Sequence, residues 1–245
     1  MFSFFKKKSS SVTDLSWLQT DMHSHLIPGI DDGSPDLETS VELIKGFAEL
    51  GYKKIITTPH ILWEIYPNTP EIITDGLIKV QQALAEASID IELMAAAEYF
   101  IDENFQQQLK DKKPLLALKD NLILVEFSMV TAPMDIQEVF FEMQIQGYQP
   151  LIAHPERYIY LRNKKHFFDD LRTAGCMFQL NMLSLAGHYG SSVKELANYL
   201  LKKDYYDYAG TDLHHHNHLS ALKSLSSSSL YSRLKDSQQI KNHLL

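Results

Sequence analysis

Residues 122–127 read LILVEF, an apolar run that contains a single carboxylate, Glu126. A run of this length without polar alternation predicts a fully buried strand, as in a parallel sheet that helices cover. A buried carboxylate is costly unless a cation or hydrogen bonds compensate for its charge, and no arginine lies in or beside this stretch. The run therefore predicts the fold class and, at the same time, a functional role for Glu126.

Similar short apolar runs recur along the chain and alternate with longer amphipathic segments, which is typical of βα units around a parallel sheet. The predicted strands cover residues 18–22, 54–58, 91–96, 122–126, 150–153, 177–181 and 206–210. The predicted helices cover residues 36–50, 70–87, 135–147, 164–174, 192–203 and a segment from 219 into the serine-rich tail. This pattern predicts an α/β protein with about seven βα units.

Composition narrows the class of protein. Of the 245 residues 44% are hydrophobic and 22% are charged, which is ordinary for a chain that buries a sizeable core. The formal net charge of −8 disfavours a nucleic-acid partner, and with it a nuclease, because such proteins usually carry a basic stripe. Since Cys176 is the only cysteine, no intrachain disulfide forms, and we expect a cytoplasmic protein.

The N-terminal region differs from the rest of the chain. We expect residues 1–17 to be a flexible leader and residues 18–245 to be a single domain. Three phenylalanines lie beside three lysines within residues 1–11, so this tip could make a weak contact with an anionic membrane surface. No apolar stretch is long enough to span a bilayer.

A pair of histidines, His23 and His25, follows the first predicted strand. Period-two geometry directs both side chains to one face, where two imidazoles can share a cation. Taken alone the pair is weak evidence, because two polar residues at the end of a strand are common.

Further potential ligands follow the later strands, at the end where barrel enzymes place their chemistry. They are His60, Glu98, Glu126, His154, Asp212 and His214, and either Asp31 or Asp32 could add a carboxylate from the Asp-Asp-Gly turn. Nine ligands exceed the needs of one ion, so we expect two or three ions with bridging carboxylates. Imidazole with carboxylate suits Zn, Mn or Fe better than Mg or Ca.

Such a cluster is suited to phosphoester hydrolysis, in which hydroxide bridging the ions attacks phosphorus. Arg157, just after His154, is placed to bind phosphate oxygens; the alternative is a surface ion pair with Glu156 or a nearby carboxylate. Of His215, His216 and His218, we expect most to be solvated and one to bind phosphate or transfer a proton. A cysteine phosphatase is excluded because Met182 stands where the arginine would follow Cys176, and no nucleotide-binding glycine loop is present.

With these residues the chain resembles the PHP (polymerase and histidinol phosphatase) superfamily, and within it the CpsB/YwqE-type bacterial tyrosine-protein phosphatases of capsule and exopolysaccharide biosynthesis. The matching stretches begin at residues 21, 58, 97, 125, 152, 179 and 210, and the run AHPERY at 153–158 is the most distinctive. The resemblance implies a distorted (β/α)7 barrel, a TIM-like PHP fold. It also implies protein-tyrosine phosphatase activity on a phosphotyrosine protein, specifically a tyrosine kinase of polysaccharide assembly.

The resemblance further implies three metal ions, with manganese expected and iron or zinc possible alternatives. His23, His25, Glu98 and Asp212 would hold the first ion; Asp32, His60 and His214 the second; Glu126 and His154 the third, with Glu98 bridging. Arg157 corresponds to the family's phosphate-binding arginine, and we expect Arg157, Asp212 and His214 to take part in catalysis.

One departure concerns the second arginine that the family commonly has after the last ligand pair. This chain has Asn217, His218 and Leu219 there, so we expect His218 to bind phosphate instead. Two alternatives stay open: a small-molecule phosphatase acting on a substrate such as histidinol phosphate, and a non-catalytic module that binds phosphoproteins.

Overall fold

The computed structural model describes residues 13–245, which form nine strands and nine α-helices in an α/β arrangement. The strands are β1 (Thr20–Asp21), β2 (Lys54–Thr57), β3 (His60–Ile61), β4 (Glu92–Ala95), β5 (Glu98–Phe100), β6 (Leu122–Glu126), β7 (Gln149–Ile152), β8 (Met177–Asn181) and β9 (Tyr208–Gly210). The helices are α1 (Leu37–Glu49), α2 (Pro70–Glu86), α3 (Glu103–Lys110), α4 (Ile136–Ile145), α5 (His166–Thr173), α6 (Met182–Ala186), α7 (Ser191–Lys202), α8 (His216–Lys223) and α9 (Ser229–Ser237). Five short 3-10 helices lie between them, among them Pro155–Arg157 and Asn242–Leu244.

All strand pairs are parallel, and they form two sheets of order β1-β2-β4 and β3-β5-β6-β7-β8-β9. The two sheets are parts of one barrel, because β3 continues β2 and β5 continues β4 after a break of two residues. Counting each continued strand once gives seven strands around the barrel, which we call staves. A bridge between Ser24 and Leu213 joins the first stave to the last. The expected α/β class and distorted (β/α)7 barrel are confirmed.

The junction between the first and last strands of the barrel, β1 and β9, is called the seam. Backbone hydrogen bonds join its two sides only near the end of the barrel where the carboxyl ends of the strands lie, which we call the upper end. There His25 N donates to the carbonyl of Leu213 at 2.9 Å. Below this point Asp21 Oδ1 accepts from the backbone N–H of Thr211 at 2.9 Å. The first and last staves are thus joined in part by side chains, which is one source of the distortion.

Asn242 closes the lower end of the same seam. Its Oδ1 accepts from Ala209 N at 2.9 Å, and its Nδ2 donates to Thr20 O at 2.8 Å and to Ala209 O at 2.6 Å. The side chain is fully buried, so the amide replaces ladder hydrogen bonds that the two strands do not make. The C-terminal 3-10 turn therefore belongs to the barrel.

Strand β6 shows how the sequence positions the site. Every residue of β6 is buried, as predicted. Ile123 and Val125 pack in the main core, whereas Leu122 and Leu124 belong to a smaller apolar cluster with Leu151 and other barrel residues. Because side chains alternate along a strand, Glu126 points to the same side as Leu124. The Glu126 carboxylate therefore lies next to an apolar cluster that includes Leu122 and Leu124.

The structure corrects several details of the sequence interpretation. Strands β3 and β5 and helices α3 and α6 were not predicted, because short runs carry too little periodicity. The helix expected from residue 219 is two helices, since α8 ends at Lys223 and a 3-10 turn separates it from α9. Helix α1 begins at Leu37, one residue later than expected, because Asp36 is its N-cap and accepts from Thr39 N.

Residues 13–17 of the expected leader are among the described residues. Leu15 is fully buried and Thr13 N donates to the carbonyl of Lys223, so the end of the assigned leader packs on the barrel. The proposed membrane-contacting tip, residues 1–11, lies outside the described residues. Within residues 13–245 no helix combines the length and the apolar character needed to cross a membrane.

Candidate metal centre

The upper end of the barrel gathers the predicted ligands. All nine side chains fall into groups whose donor atoms lie within 4.8 Å of one another; they are His23, His25, Asp32, His60, Glu98, Glu126, His154, Asp212 and His214. His60 and Glu98 begin the short strands β3 and β5, Glu126 ends β6, and the others lie in segments that follow a strand. Parallel strands bring these positions together at one end of the barrel. Residues separated by up to 191 positions in the chain, His23 and His214, thus meet at one site.

Glu98 lies at the centre of the group. Its Oε2 is 3.1 Å from His23 Nε2, 3.5 Å from His25 Nε2 and 3.2 Å from His60 Nδ1. The oxygen is buried and has no hydrogen-bond partner. Metal bonds of about 2.1 Å separate neighbouring ligand atoms by roughly 3.0–3.4 Å, which these spacings match. Such a donor set fits a cation.

Two further groups adjoin Glu98. Asp32 Oδ1 is 3.4 Å from both His60 Nε2 and His214 Nε2. On the other side, His154 Nε2 is 3.1 Å from Glu98 Oε1 and 3.8 Å from Glu126 Oε2. His60 faces both groups, because its Nδ1 is also 3.2 Å from Glu126 Oε1. The donors form four overlapping groups rather than three separate sets, and His23, His25, His60 and Glu98 each belong to two of them.

Hydrogen bonds behind the histidines orient three of the rings. His23 Nδ1 lies 2.9 Å from Gln179 Oε1, His25 Nδ1 lies 2.8 Å from Asp31 Oδ2, and His214 Nδ1 lies 2.9 Å from the carbonyl of Asp212. Each acceptor requires the proton on Nδ1, which leaves the Nε2 lone pair directed into the cluster. Ligating histidines are characteristically held in this way.

The structure separates the roles of Asp31 and Asp32, which the sequence left open. The side chain of Asp31 is fully buried and accepts from His25, from His60 N at 3.1 Å and from Gly33 N at 3.0 Å. The side chain of Asp32 is 53% exposed and faces His60 and His214. Asp31 therefore orients ligands, whereas Asp32 offers its carboxylate to the site.

Local backbone geometry at the site is constrained. His154 and Asp212 have positive φ values of 34° and 51°, a left-handed conformation that is uncommon for residues other than glycine. Gly33 lies against His25, and a Cβ at Gly33 would come within 2.3 Å of the carbonyl oxygen of His25. The turn that carries the two aspartates can approach the first stave only with glycine at this position.

The electrostatics favour cations. Burial raises the pKa of Glu98, but the charges of His23 and His60 outweigh it and hold that pKa well below its ordinary value. Burial and the charge of His25 lower the pKa of His60, yet Glu98 and the neighbouring carboxylates raise it to about 10. In the absence of metal, protons on histidine therefore neutralise the carboxylates, and bound cations would replace those protons.

Arg157 reaches the same site from the 3-10 turn that follows His154. Its NH1 donates to Asp212 Oδ2 at 2.7 Å, and its guanidinium lies 4.6 Å from the centre of the Tyr189 ring. The alternative of an ion pair with Glu156 is wrong, because Glu156 is buried and accepts from Asn181 N at 2.9 Å and Tyr206 OH at 3.0 Å. Glu156 instead anchors the turn that presents Arg157.

His218 is the one buried member of the histidine run, while His215 and His216 are exposed. Its Nδ1 accepts from the backbone N–H of His214 at 3.3 Å, so its proton is on Nε2. Burial and the charges of His215 and His214 lower the pKa of His218 to about 4. The side chain is therefore a neutral hydrogen-bond donor at neutral pH.

These groups surround a cavity of about 520 Å³. One wall is ionic and is formed by Asp32, His60, Glu126, His154, Arg157, Asp212 and His214, with His218 beside them. Another wall is apolar or aromatic. A phosphate ester with an apolar alcohol half would match both walls.

Sequence reasoning did not assign several residues of this site. Gln179 and Asn181 lay in one of the matching stretches but were assigned no role. In the structure Gln179 Oε1 lies beside His23, and Asn181 donates to Asp212 Oδ2 at 2.9 Å. Tyr189 carried no sequence signal, since it follows a helix that was not predicted. For Gln179 and Asn181 the available signal was a polar residue inside a buried strand.

Comparison with known proteins agrees with this geometry. Residues 19–239 match the family described as "Capsular polysaccharide synthesis, CpsB/CapC". The chain is 30% identical over 195 residues to the tyrosine-protein phosphatase YwqE of Bacillus subtilis, covering 79% of this chain and 76% of YwqE. It is 28% identical over 200 residues to the tyrosine-protein phosphatase CpsB of Streptococcus pneumoniae, covering 79% and 82%.

A solved structure extends the similarity to three dimensions. It comes from a study of YwqE from Bacillus subtilis and CpsB from Streptococcus pneumoniae, described as unique metal-dependent tyrosine phosphatases. The TM-score is 0.79 at 27% identity, over 91% of this chain and 89% of that chain. Because the family match covers nearly all of the barrel that carries the nine donors, the chain belongs to the CpsB/CapC family of capsular polysaccharide synthesis.

Proposed function

We propose that this protein is a metal-dependent protein-tyrosine phosphatase of capsule or exopolysaccharide assembly. Its proposed substrate is a phosphotyrosine protein, specifically a bacterial tyrosine kinase of that system, and its proposed location is the cytoplasm. The observation that carries this proposal is the convergence of nine imidazole and carboxylate donors beside a half-buried arginine. The relatives named as metal-dependent tyrosine phosphatases support the same activity.

We assign three ions to the site, with manganese favoured and iron or zinc as alternatives. His23, His25, Glu98 and Asp212 would hold one ion; Asp32, His60 and His214 a second; Glu126 and His154 a third, with Glu98 shared. When bound, such ions would acidify an attacking water molecule and neutralise charge on the phosphoryl oxygens. The orphaned Glu98 Oε2 and the fixed Nδ1 protons of His23 and His25 support this donor assignment.

Arg157 is the proposed anchor for the phosphoryl group. Asp212 uses one guanidinium nitrogen, and the ring of Tyr189 supports the guanidinium plane, so the group is held before substrate arrives. Its remaining N–H groups can donate to two phosphoryl oxygens in the forked geometry that arginine favours. Preorganisation of this kind strengthens binding of the charge that develops in the transition state.

His218 is the proposed second phosphate contact, in place of the arginine that the family commonly has. Because its Nδ1 accepts from His214 N, only Nε2–H can donate to a phosphoryl oxygen. Asp212 and His214 are proposed to be catalytic as well as ligating, since Asp212 couples the ligand cluster to Arg157. A tyrosine leaving group, with an ordinary pKa of about 10, needs less protonation than an alkoxide.

The test compares wild type with His154→Ala, using His166→Ala as a control because His166 is an exposed histidine of the neighbouring helix α5. Bound metal is counted in each protein, and hydrolysis is measured on a phosphotyrosine peptide and on histidinol phosphate after Mn addition. We expect peptide hydrolysis in wild type and control, and at least about a hundredfold loss in His154→Ala.

Three outcomes would contradict the proposal. Undiminished activity of His154→Ala would remove the mechanism. Turnover of histidinol phosphate without turnover of the peptide would identify a small-molecule phosphatase. A folded protein that binds no transition metal and stays inactive after Mn addition would identify a phosphoprotein-binding module.

A further inference from the structure

One wall of the cavity, beside the candidate ligands, is apolar. It consists of Leu62, Ile65, Tyr66, Phe100, Phe127 and Met129, and we call it the apolar wall. None of these six side chains carries a charge at neutral pH. Such a surface binds neither a cation nor a phosphoryl group, so it is suited to apolar parts of the substrate.

The barrel places the apolar wall directly beside the donors. In the β3-β5-β6 register His60 pairs with Glu98, and Phe100 pairs with Glu126. Leu62 and Phe127 each follow one of these strands within a residue of its end. The wall is therefore the continuation of the staves that carry three of the proposed ligands, and it is fixed relative to them.

Ile65 is held outward by a tight turn. Leu62 and Tyr66 form an antiparallel bridge, in which Tyr66 N donates to Leu62 O at 2.7 Å and Leu62 N donates to Tyr66 O at 3.1 Å. Tyr66 in turn stacks on His60, with ring centres 5.6 Å apart. Ile65 is nevertheless 63% exposed. The turn thus presents an isoleucine to solvent at the cavity mouth without burying it.

The loop after β6 carries further apolar side chains. Met129 lines the cavity, and Val130 and Met134 on this loop are 81% and 105% exposed. No described residue covers these side chains. Exposed apolar groups that continue the wall of a binding cavity are typical of surfaces that receive a partner.

We infer that the apolar wall binds apolar side chains next to the phosphotyrosine of a substrate polypeptide, so that the protein selects phosphotyrosines with apolar neighbours. This inference rests on the proposed function. The continuity of the wall with the catalytic cavity favours the substrate over a second copy of the chain, because an occupant must leave the phosphoryl group access to the cluster. A charged neighbour would lose hydration against this wall and find no partner there.

The test measures binding to the full chain loaded with Mn. The probes are peptides that carry a non-hydrolysable phosphonate analogue of phosphotyrosine, flanked by leucine, by glycine or by aspartate. We expect the leucine-flanked peptide to bind roughly five- to tenfold more tightly than the glycine-flanked peptide, as expected for partial burial of one or two apolar side chains. The aspartate-flanked peptide should bind most weakly.

The variant is the double substitution Ile65→Ser with Met129→Ser, in which the ratio between leucine- and glycine-flanked peptides should fall to about twofold or less. Ile145→Ser is the matched control, because Ile145 on α4 is also 63% exposed but does not line the cavity. The control should keep the wild-type ratio. Bound metal is counted in every variant.

Equal binding of the peptides by wild type, or an unchanged ratio in the double variant, would overturn the inference. It would also be overturned if no phosphonate peptide bound, or if the double variant altered only the oligomeric state in light scattering. Because binding is measured without turnover, these outcomes are separate from a failure of phosphatase activity, which hydrolysis of the glycine-flanked phosphotyrosine peptide reports.

Discussion

The different positions of Asp31 and Asp32 lead to our main prediction, for the substitution Asp31→Asn. The Asp31 carboxylate accepts from three donors, His25 Nδ1 at 2.8 Å, His60 N at 3.1 Å and Gly33 N at 3.0 Å. An asparagine has only one acceptor oxygen, so its NH₂ group must face at least one of these donors. The variant keeps every proposed ligand but no longer fixes the ring of His25 as firmly.

The magnitude follows from the hydrogen bond that is weakened. A hydrogen bond to a charged acceptor contributes about 1.5–3 kcal/mol. At about 1.4 kcal/mol per factor of ten, this corresponds to metal affinity weaker by roughly 10- to 150-fold. Losses of about 10- to 100-fold are typical when a group that orients a ligand is removed. The number of ions bound at saturation should not change.

The assay is metal titration at fixed free Mn, with activity toward a phosphotyrosine peptide measured on the same samples. Asp31→Asn should shift the midpoint and recover activity at high metal concentration. Asp32→Asn should instead bind fewer ions at saturation and recover little activity. Asp75→Asn, at an exposed carboxylate of α2, is the control for loss of charge alone.

Two results would refute this reasoning. Wild-type metal affinity in Asp31→Asn would show that the carboxylate does not orient a ligand. A lower number of ions in Asp31→Asn, with a full complement in Asp32→Asn, would show that the two roles are reversed.

Three other predictions concern phosphate binding, the seam and pH. Arg157→Lys keeps the positive charge but loses the forked guanidinium group and its contact with the Tyr189 ring. The kcat/KM for the phosphotyrosine peptide should therefore fall about a hundredfold with metal content unchanged. A fall below about threefold would contradict the role of Arg157 in binding the phosphoryl group. Asn242→Ala removes the side-chain amide that links Thr20 to Ala209. The free energy of unfolding measured by urea titration should fall by about 2–4 kcal/mol. A loss under about 0.5 kcal/mol would show that the amide does not stabilise the seam. In the metal-free protein the pKa of His60 is raised to about 10, so the stability that His60 contributes is complete below about pH 6.5 and declines as pH rises towards 10. The Tm measured by calorimetry should therefore fall over this pH range in EDTA but not with saturating Mn. Equal pH dependence of Tm under both conditions would contradict this prediction.

Much of the site could be predicted from local sequence. The apolar run at 122–126 is the observed β6 without a shifted boundary, and the predicted ligands lie together at the end of the barrel where they were expected. This succeeded because parallel strands buried on both faces have a strong apolar pattern and because barrel chemistry concentrates at their carboxyl ends. The short strands β3 and β5 were missed since two or three residues carry no detectable period.

The sequence by itself determined the barrel class, the residue types of the metal centre and the place of each ligand along the chain, because these depend on local periodicity and on chemistry. Only the tertiary structure decided which aspartate faces the cluster, which histidine of the run is buried, and which partners hold His23 and Arg157. Those choices depend on contacts between residues far apart in the chain, such as His23 with Gln179 and Thr20 with Asn242. No local pattern encodes such contacts, since they arise only when the seven staves close around one centre.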